Sequence, residues 1–250
     1  MISFNNIGYM GRLGNQMFQY ASLKGIASHK GYWYSIPEHD SFDIVNCFKI
    51  PPTLPNKNTK TVEPDNTKFD RHFFDNCPDD VDIVGYFQTE KYFKHIEKDI
   101  RKDFTFHDKI VESCLKHKEK FFSNTPIISL HIRRTDYLTD SNFESLSLNY
   151  YLNALKILPK FPVIVFSDDI QWCKENFVDD IFTFSSFDSQ YLDLCLMTMC
   201  DYHVIANSSF SWWGSWLAKS KQTIAPRKWF TGSYSHWNTS DLYLPEWIVL

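Results

Sequence analysis

The feature that most constrains this chain is the alternation running through its second half. Apolar runs rich in β-branched residues, at 127–131, 162–166, 181–184, 203–206 and 222–225, are separated by segments with helical spacing and short joins. Short, predominantly apolar runs of strand length suit buried strands in a sheet covered on both faces. Residues 148–158 read as a helix closed by Pro159, Asp168 and Asp169 as N-caps of a helix to Asn176, and 209–219 as a further helix. Residues 188–200 place Leu192, Cys195, Leu196 and Met199 on one helical face. Strand and helix in this order give a parallel sheet with helices on both faces, the doubly wound class.

The first half is less regular. Segments 2–7, 31–36 and 82–87 read as strands and 15–29 as a helix. Pro, Asn and Thr make 51–68 a long loop. A helical stretch begins at Lys91, and the charged segment 101–124 reads as a helical bridge between two lobes. The expected fold class is α/β, with two Rossmann-like lobes, 1–124 and 125–250, and a nucleotide-binding cleft between them.

A net charge of −4 excludes a protein built to neutralise nucleic-acid phosphates. Six scattered cysteines without C-x-x-C spacing read as free, mostly buried thiols and fit a reducing compartment. The N-terminus has neither a basic nor an apolar leader region, and no window approaches the ~20 apolar residues of a membrane span. The chain therefore reads as soluble and cytoplasmic, and the N-x-[ST] sequons at Asn207 and Asn238 read as chance matches.

Four segments carry candidate chemistry. In His131-Ile132-Arg133-Arg134-Thr135-Asp136, at the end of a strand, alternation puts His131 and Arg133 on one side and Arg134 and Asp136 on the other. A guanidinium there can hold a diphosphate in bidentate fashion. The alternative is structural pairing, more so for Arg134, which has Asp136 as a natural partner. Asn207-Ser208-Ser209 leads into a helix, where hydroxyls and free N–H groups form a phosphate site; plain capping explains one serine but not the whole run. Gly11-Arg12-Leu13-Gly14-Asn15 permits close ligand approach but lacks the dinucleotide G-x-G-x-x-G spacing. Asp193, a charge in an apolar helix, suits either an exposed face or guanine N–H donors. The pair Asp168–Asp169 reads as a helix start, not a metal site, because adjacent side chains diverge.

The segments at 11–21 (GRLGNQMFQYA), 85–93 (GYFQTEKYF), 131–137 (HIRRTDY), 166–169 (FSDD) and 206–213 (ANSSFSWW) resemble, in this order, the motifs of the α-1,2-fucosyltransferases. More distant similarity reaches the α-1,6- and protein O-fucosyltransferases. The resemblance implies a B-type glycosyltransferase fold that binds GDP-fucose mainly through its C-terminal lobe, inverts the sugar carbon and needs no metal or other cofactor. It implies that Arg133 holds the β-phosphate, that His131 and Asp193 contact the guanosine, and that Asn207, Ser208 and Ser209 serve the diphosphate. Arg12, Gly14 and Asn15 would lie near the reacting carbon, with a galactose-terminated glycan as acceptor. Asp136, Asp140 and Glu144 stay open as the base, and Asn15 as a group that orients the hydroxyl. Trp212, Trp213 and Phe87 are candidate platforms for the apolar face of galactose. Rival readings are another linkage, α-1,6 or protein O-linked, and a sugar-nucleotide-binding protein without catalysis.

Overall fold

A computed structural model describes residues 1–38, 42–53, 60–64, 68–121 and 125–250. The chain folds as two units, Met1–His107 with Asn238–Leu242, and Asp108–Trp237 with Tyr243–Leu250. The boundary thus falls at His107/Asp108 and not at 124/125. The charged segment after Arg101 is not one bridging helix: helix Glu97–Asp103 stops at Phe104, and helix Asp108–Phe121 packs on Gln190–Thr198 of the second unit.

In the first unit, β1 (Ile2–Ser3), β2 (Tyr34–Ser35), β3 (Thr61–Val62) and β4 (Asp82–Ile83) pair in the order β2-β1-β4-β3, all parallel. Helices α1 (Leu13–Lys30), α2 (Asp43–Cys47), α3 (Arg71–Asn76) and α4 (Glu97–Asp103) complete it. Three strands, β1, β2 and β4, are shorter than the segments 2–7, 31–36 and 82–87 read for them. The Asp82 carboxylate accepts from the Ser3 hydroxyl (3.1 Å) and the Asn5 amide (2.7 Å), which turns the chain out of β1. β4 ends before Gly85 and Phe87, whose φ values of 148° and 51° cannot continue a strand. The stretch from Lys91 is a pair of single 3-10 turns ahead of α4. β3 interrupts the expected loop 51–68, of which 54–59 and 65–67 lie outside the described residues. α1 buries Phe18, Tyr20, Leu23 and Ile26 and ends at Gly31.

In the second unit, β5 (Ile128–Ile132), β6 (Val163–Ser167), β7 (Phe182–Phe184), β8 (Tyr202–Val204), β9 (Gln222–Ala225) and β10 (Ile248–Val249) form one parallel sheet in the order β10-β9-β8-β5-β6-β7. Renumbered within the unit, this is the 3-2-1-4-5-6 order of the doubly wound nucleotide folds. Helices α5 (Asp108–Phe121), α6 (Leu148–Ile157), α7 (Ile170–Asn176), α8 (Gln190–Thr198) and α9 (Ser209–Ala218) belong to this unit. Every residue of β5 is buried, with Leu130 in register with Val165 and Val204 on its two neighbours. Tyr151, Ala154, Leu158 and Cys173 pack on this sheet core. Ser147 caps α6 by accepting from the Tyr150 amide (3.4 Å). In α8 the expected stripe gives way to consecutive burial of Leu194, Cys195, Leu196 and Met197, while Leu192 and Met199 are half-buried. The cause is packing against α5 and against α9 as well as burial within the unit.

All six cysteines are free and buried. No helix among the described residues is long and apolar enough to cross a membrane.

Candidate active site

In a sheet of this order the chain reverses direction between β5 and β8, and the loops leaving their carboxyl ends diverge around a crevice. Residues 133–138 leave β5 and 207–208 lead into α9. The tyrosine of the first loop donates from its hydroxyl to the Asn207 carbonyl of the second (3.1 Å), so the two are tied.

Arg133 is the centre of this edge. Its Nη2 donates to Asp136 Oδ2 (2.5 Å), its Nη1 lies 3.2 Å from Asp168 Oδ2, and its guanidinium lies 5.6 Å from the Tyr137 ring centroid. Burial works against its charge, but the two carboxylates outweigh that and raise its pKa above the ordinary arginine value. Asp136 is not turned away from Arg133 as strand alternation predicts, because β5 stops at Ile132. The 3-10 turn Asp136–Leu138 then curls the carboxylate back to the guanidinium.

Arg134 has a different partner from the one expected. Its Nε donates to Asp169 Oδ2 (3.1 Å) and its guanidinium lies 4.0 Å from the Trp172 ring centroid, a structural ion pair with a cation–π contact. Asp169 also caps α7, accepting from the Trp172 amide (3.2 Å). Asp168, read from sequence as a cap, instead accepts from the Arg134 amide (2.9 Å) and the Thr135 hydroxyl and joins the Arg133 cluster. The adjacent carboxylates do diverge, each toward a different arginine. Among the described residues no group of three or more His, Cys, Asp or Glu could hold a metal ion.

His131 is buried two residues before Arg133, its ring 5.6 Å from that of Phe210. Burial, then the nearby Arg133 charge, pushes its pKa down to about 3, so the imidazole is neutral at physiological pH. Its Nδ1 has no hydrogen-bond partner among the described residues. Ser208 caps α9, accepting from the Phe210 amide (3.3 Å), and Ser209 is the first helical residue; both remain half-exposed. Asn207 turns inward. Its Nδ2 donates to the carbonyls of Glu144 (3.0 Å) and Trp229 (2.9 Å), so the polar run joins three loops instead of offering three side chains outward. That burial also removes the Asn207 sequon from the surface.

Asp193 lies in the first turn of α8 and accepts from the Ser185 hydroxyl at the end of β7. Desolvation raises its pKa to about 6 against the opposing Ser185 bond.

In the first unit, Gly11 has φ 91°, and a Cβ there would lie 2.2 Å from Asn15 Nδ2. Arg12, in extended backbone, precedes α1 with its side chain exposed, and Gly14 is buried in the first turn. Asn15 Oδ1 accepts from Gln88 Nε2 (2.9 Å), which ties the glycine loop to the 85–93 segment.

The proposed aromatic platforms are overturned. Trp212 and Trp213 are fully buried and packed edge-on to one another at 5.0 Å, and Phe87 is buried against Phe4 and Tyr92. Asp168, which the sequence assigns to a helix start, and Tyr137, which it does not single out, are the further residues of this cluster. Both stand in quoted motifs, which was the available signal.

The parallel six-stranded sheet with its order reversal between β5 and β8 makes this a doubly wound α/β protein, with Arg133 at the switch point. The fold is similar to the fucosyltransferase NodZ from Bradyrhizobium, with a TM-score of 0.58 at 15% identity over 86% of this chain and 92% of that one. It is also similar to POFUT1 in complex with GDP-fucose, with a TM-score of 0.53 at 17% identity over 88% and 94%. These likenesses place the chain in the B-type glycosyltransferase fold class. It belongs to glycosyl transferase family 11, whose model matches residues 1–250. The chain is 31% identical to an α-1,2-colitosyltransferase of Escherichia coli, over 88% of this chain and 90% of that protein. It is 28% identical to the O-antigen biosynthesis glycosyltransferase WbnK of the same organism (96% and 98%). It is 26% identical to galactoside 2-alpha-L-fucosyltransferase SEC1 of Bos taurus (97% and 72%).

Proposed function

We propose that this protein transfers L-fucose from GDP-fucose to the 2-hydroxyl of a terminal galactose, with inversion at the sugar carbon. The observation that carries the donor side is Arg133, which follows the buried strand β5 at the β5/β8 switch point and packs on Tyr137, itself bonded to the Asn207 carbonyl ahead of α9. The linkage is carried by the relatives named for α-1,2 and galactoside 2-transfer.

In this reading the acceptor oxygen forms a bond to the sugar carbon as the bond from that carbon to the diphosphate breaks. Arg133 and the Ser208–Ser209 helix start receive the charge that moves onto the diphosphate. His131 and Asp193 hold the guanosine. The hydroxyl proton leaves on the face opposite the diphosphate, and the carboxylate that takes it is one of Asp136, Asp140 and Glu144. Asp136 pairs with Arg133, and Asp168 pairs with Arg133 while also accepting from the Arg134 amide and Thr135. Glu144 pairs with Lys228 (2.8 Å), and Asp140 accepts from Asn142. Arg12, Gly14 and Asn15 form the glycine loop that serves the transferred sugar.

Incubation with GDP-fucose and lactose, with the product linkage read by NMR, tests this reading. Fucose on O2 of galactose is the expected result, and any other position defeats the linkage while leaving the donor chemistry standing. The identity with an α-1,2-colitosyltransferase favours colitose as a second donor sugar, so both donors belong in that assay.

Transfer proceeds without a metal ion. Asp168 and Asp169 are committed to Arg133, Arg134 and the α7 cap, and the diphosphate charge is met by a guanidinium and a helix start. Activity should persist in EDTA. Loss in chelator with recovery on Mn²⁺ would show that these carboxylates exchange their arginines for a cation.

A further inference from the structure

Next to the Arg133 cluster a series of aromatic rings runs across two loops of the second unit. Tyr137, which lies beside the Arg133 guanidinium, stacks on Phe143 at 4.6 Å and 16°. Phe143 contacts Phe230 at 5.7 Å and Tyr234 at 6.3 Å, and Tyr234 stacks on Trp237 at 4.2 Å and 20°. Phe230 meets Trp237 edge-on at 5.2 Å.

The loops that carry these rings are locked together. Phe143 and Phe230 form an isolated antiparallel bridge, the Thr231 amide donates to the Asn142 carbonyl (2.8 Å), and the Ser233 amide donates to Asn142 Oδ1 (3.0 Å). Gly232 has φ 50°, and a Cβ there would lie 2.5 Å from the Ser141 carbonyl, so the two loop tips approach as closely as backbone allows. The rings are thus ordered before anything binds.

All five rings are half-buried, and the residues around them, Asp140, Ser233, Ser235 and His236, are exposed and polar. A core residue would be buried, as Trp212 and Trp213 are. A protein partner calls for a broader apolar patch than five half-covered rings. Flat rings edged by hydroxyl, amide and imidazole groups match a saccharide, whose pyranoses present apolar C–H faces and hydroxyl rims.

We propose that the Tyr137–Phe143–Phe230–Tyr234–Trp237 ladder is the surface on which the acceptor oligosaccharide lies, entering at Trp237 and ending beside Arg133. The inference rests on Arg133 as the donor diphosphate site, since that fixes which end of the ladder faces the reaction. It assigns acceptor binding to rings of which Tyr137 alone stands in a motif, in place of the buried Trp212, Trp213 and Phe87.

The test uses the full chain with GDP-fucose and galactosides of one, two and three rings. In the wild type, acceptor KM falls as rings are added. Trp237→Ala and Tyr234→Leu each raise KM for the three-ring acceptor about five- to tenfold, as expected for the loss of one stacking face, with KM for GDP-fucose unchanged. Trp237→Phe restores most of the loss. Acceptor KM values that stay at the wild-type level in both variants overturn the ladder. Should Trp237→Ala lose GDP binding and so be misfolded, Tyr234→Leu and Trp237→Phe carry the comparison. If the wild type neither binds GDP-fucose nor transfers from it, the Arg133 reading has failed instead. Direct calorimetric titration of the three-ring galactoside then decides the ladder: binding to wild type but not to Tyr234→Leu supports it, and equal or absent binding to both overturns it.

Discussion

Arg133→Ala should lower kcat/KM for fucosyl transfer about 10²–10³-fold, the usual cost of removing a preorganised donor to a developing negative charge. The structure adds a reason for the upper end of that range. Asp136 and Asp168 both lean on this guanidinium, at 2.5 and 3.2 Å. With Arg133 gone, two carboxylates face the position of an incoming diphosphate with no cation between them. Arg133→Lys keeps the charge but satisfies at most part of this arrangement. It loses the planar fork that meets Asp136 through one nitrogen and Asp168 through another, and it loses the face that packs on Tyr137. It should therefore recover only part of the activity, with KM for GDP-fucose still raised. Far-ultraviolet circular dichroism and thermal melts separate this from unfolding, since breaking a half-buried ion cluster also destabilises. An Arg133→Ala protein that is folded and transfers fucose at near wild-type rate would remove the arginine from the diphosphate site.

Parts of the fold were legible because the physics behind them is local. The five second-unit strands read from sequence all form: Val163–Ser167 is apolar without alternation, and Ile128–Ile132 is buried throughout although Ser129 and His131 alternate with its Ile and Leu residues, as a strand covered on both faces requires. What was not legible depends on where an element stops. Strand period turns Asp136 away from Arg133, but β5 ends one residue before Arg133 and the period does not reach it. The pairing of arginines with carboxylates has the same origin. Sequence proximity suggested Arg134 with Asp136, whereas β6 lies next to β5 in the sheet and delivers Asp168 and Asp169 to the two arginines from another strand. The buried tryptophans illustrate a second limit. Trp212 and Trp213 stand in a polar motif at a helix start, yet α9 packs on α8, so the serines stay half-exposed while the indoles enter the core. The ring ladder was invisible for a related reason, because its members are divided between residues 137–143 and 230–237 and meet only through a two-loop bridge.

The second large effect expected is at Asp193. Desolvation raises its pKa from 3.8 to about 6, and the Ser185 hydroxyl bonded to Oδ1 offsets only part of that rise. Folding therefore favours the protonated form. The stability this contributes is fully present below about pH 4 and is lost as pH rises through about 6, so above pH 6 the folded protein bears the cost of a poorly solvated carboxylate. A pair of guanine N–H donors would repay that cost, because they bond to the ionised acid and not to the neutral one. Binding of the donor should then be coupled to loss of a proton. KM for GDP-fucose should rise as pH falls below 6, approaching tenfold per unit, whereas Asp193→Asn should show a flat profile over the same range. GDP-fucose is the right ligand for this measurement, because both of its phosphates are esterified and neither titrates near pH 6. Asp193→Ala should raise KM roughly 10–100-fold, the value of hydrogen bonds to a charged acceptor, with a smaller fall in kcat because base contacts persist through the reaction. The same substitution should stabilise the unliganded protein above pH 6, since it removes a carboxylate that burial disfavours. If Asp193→Ala gains that stability but leaves both KM and its pH profile at wild-type values, the carboxylate serves only the first turn of α8, and the base is read elsewhere on the sheet edge.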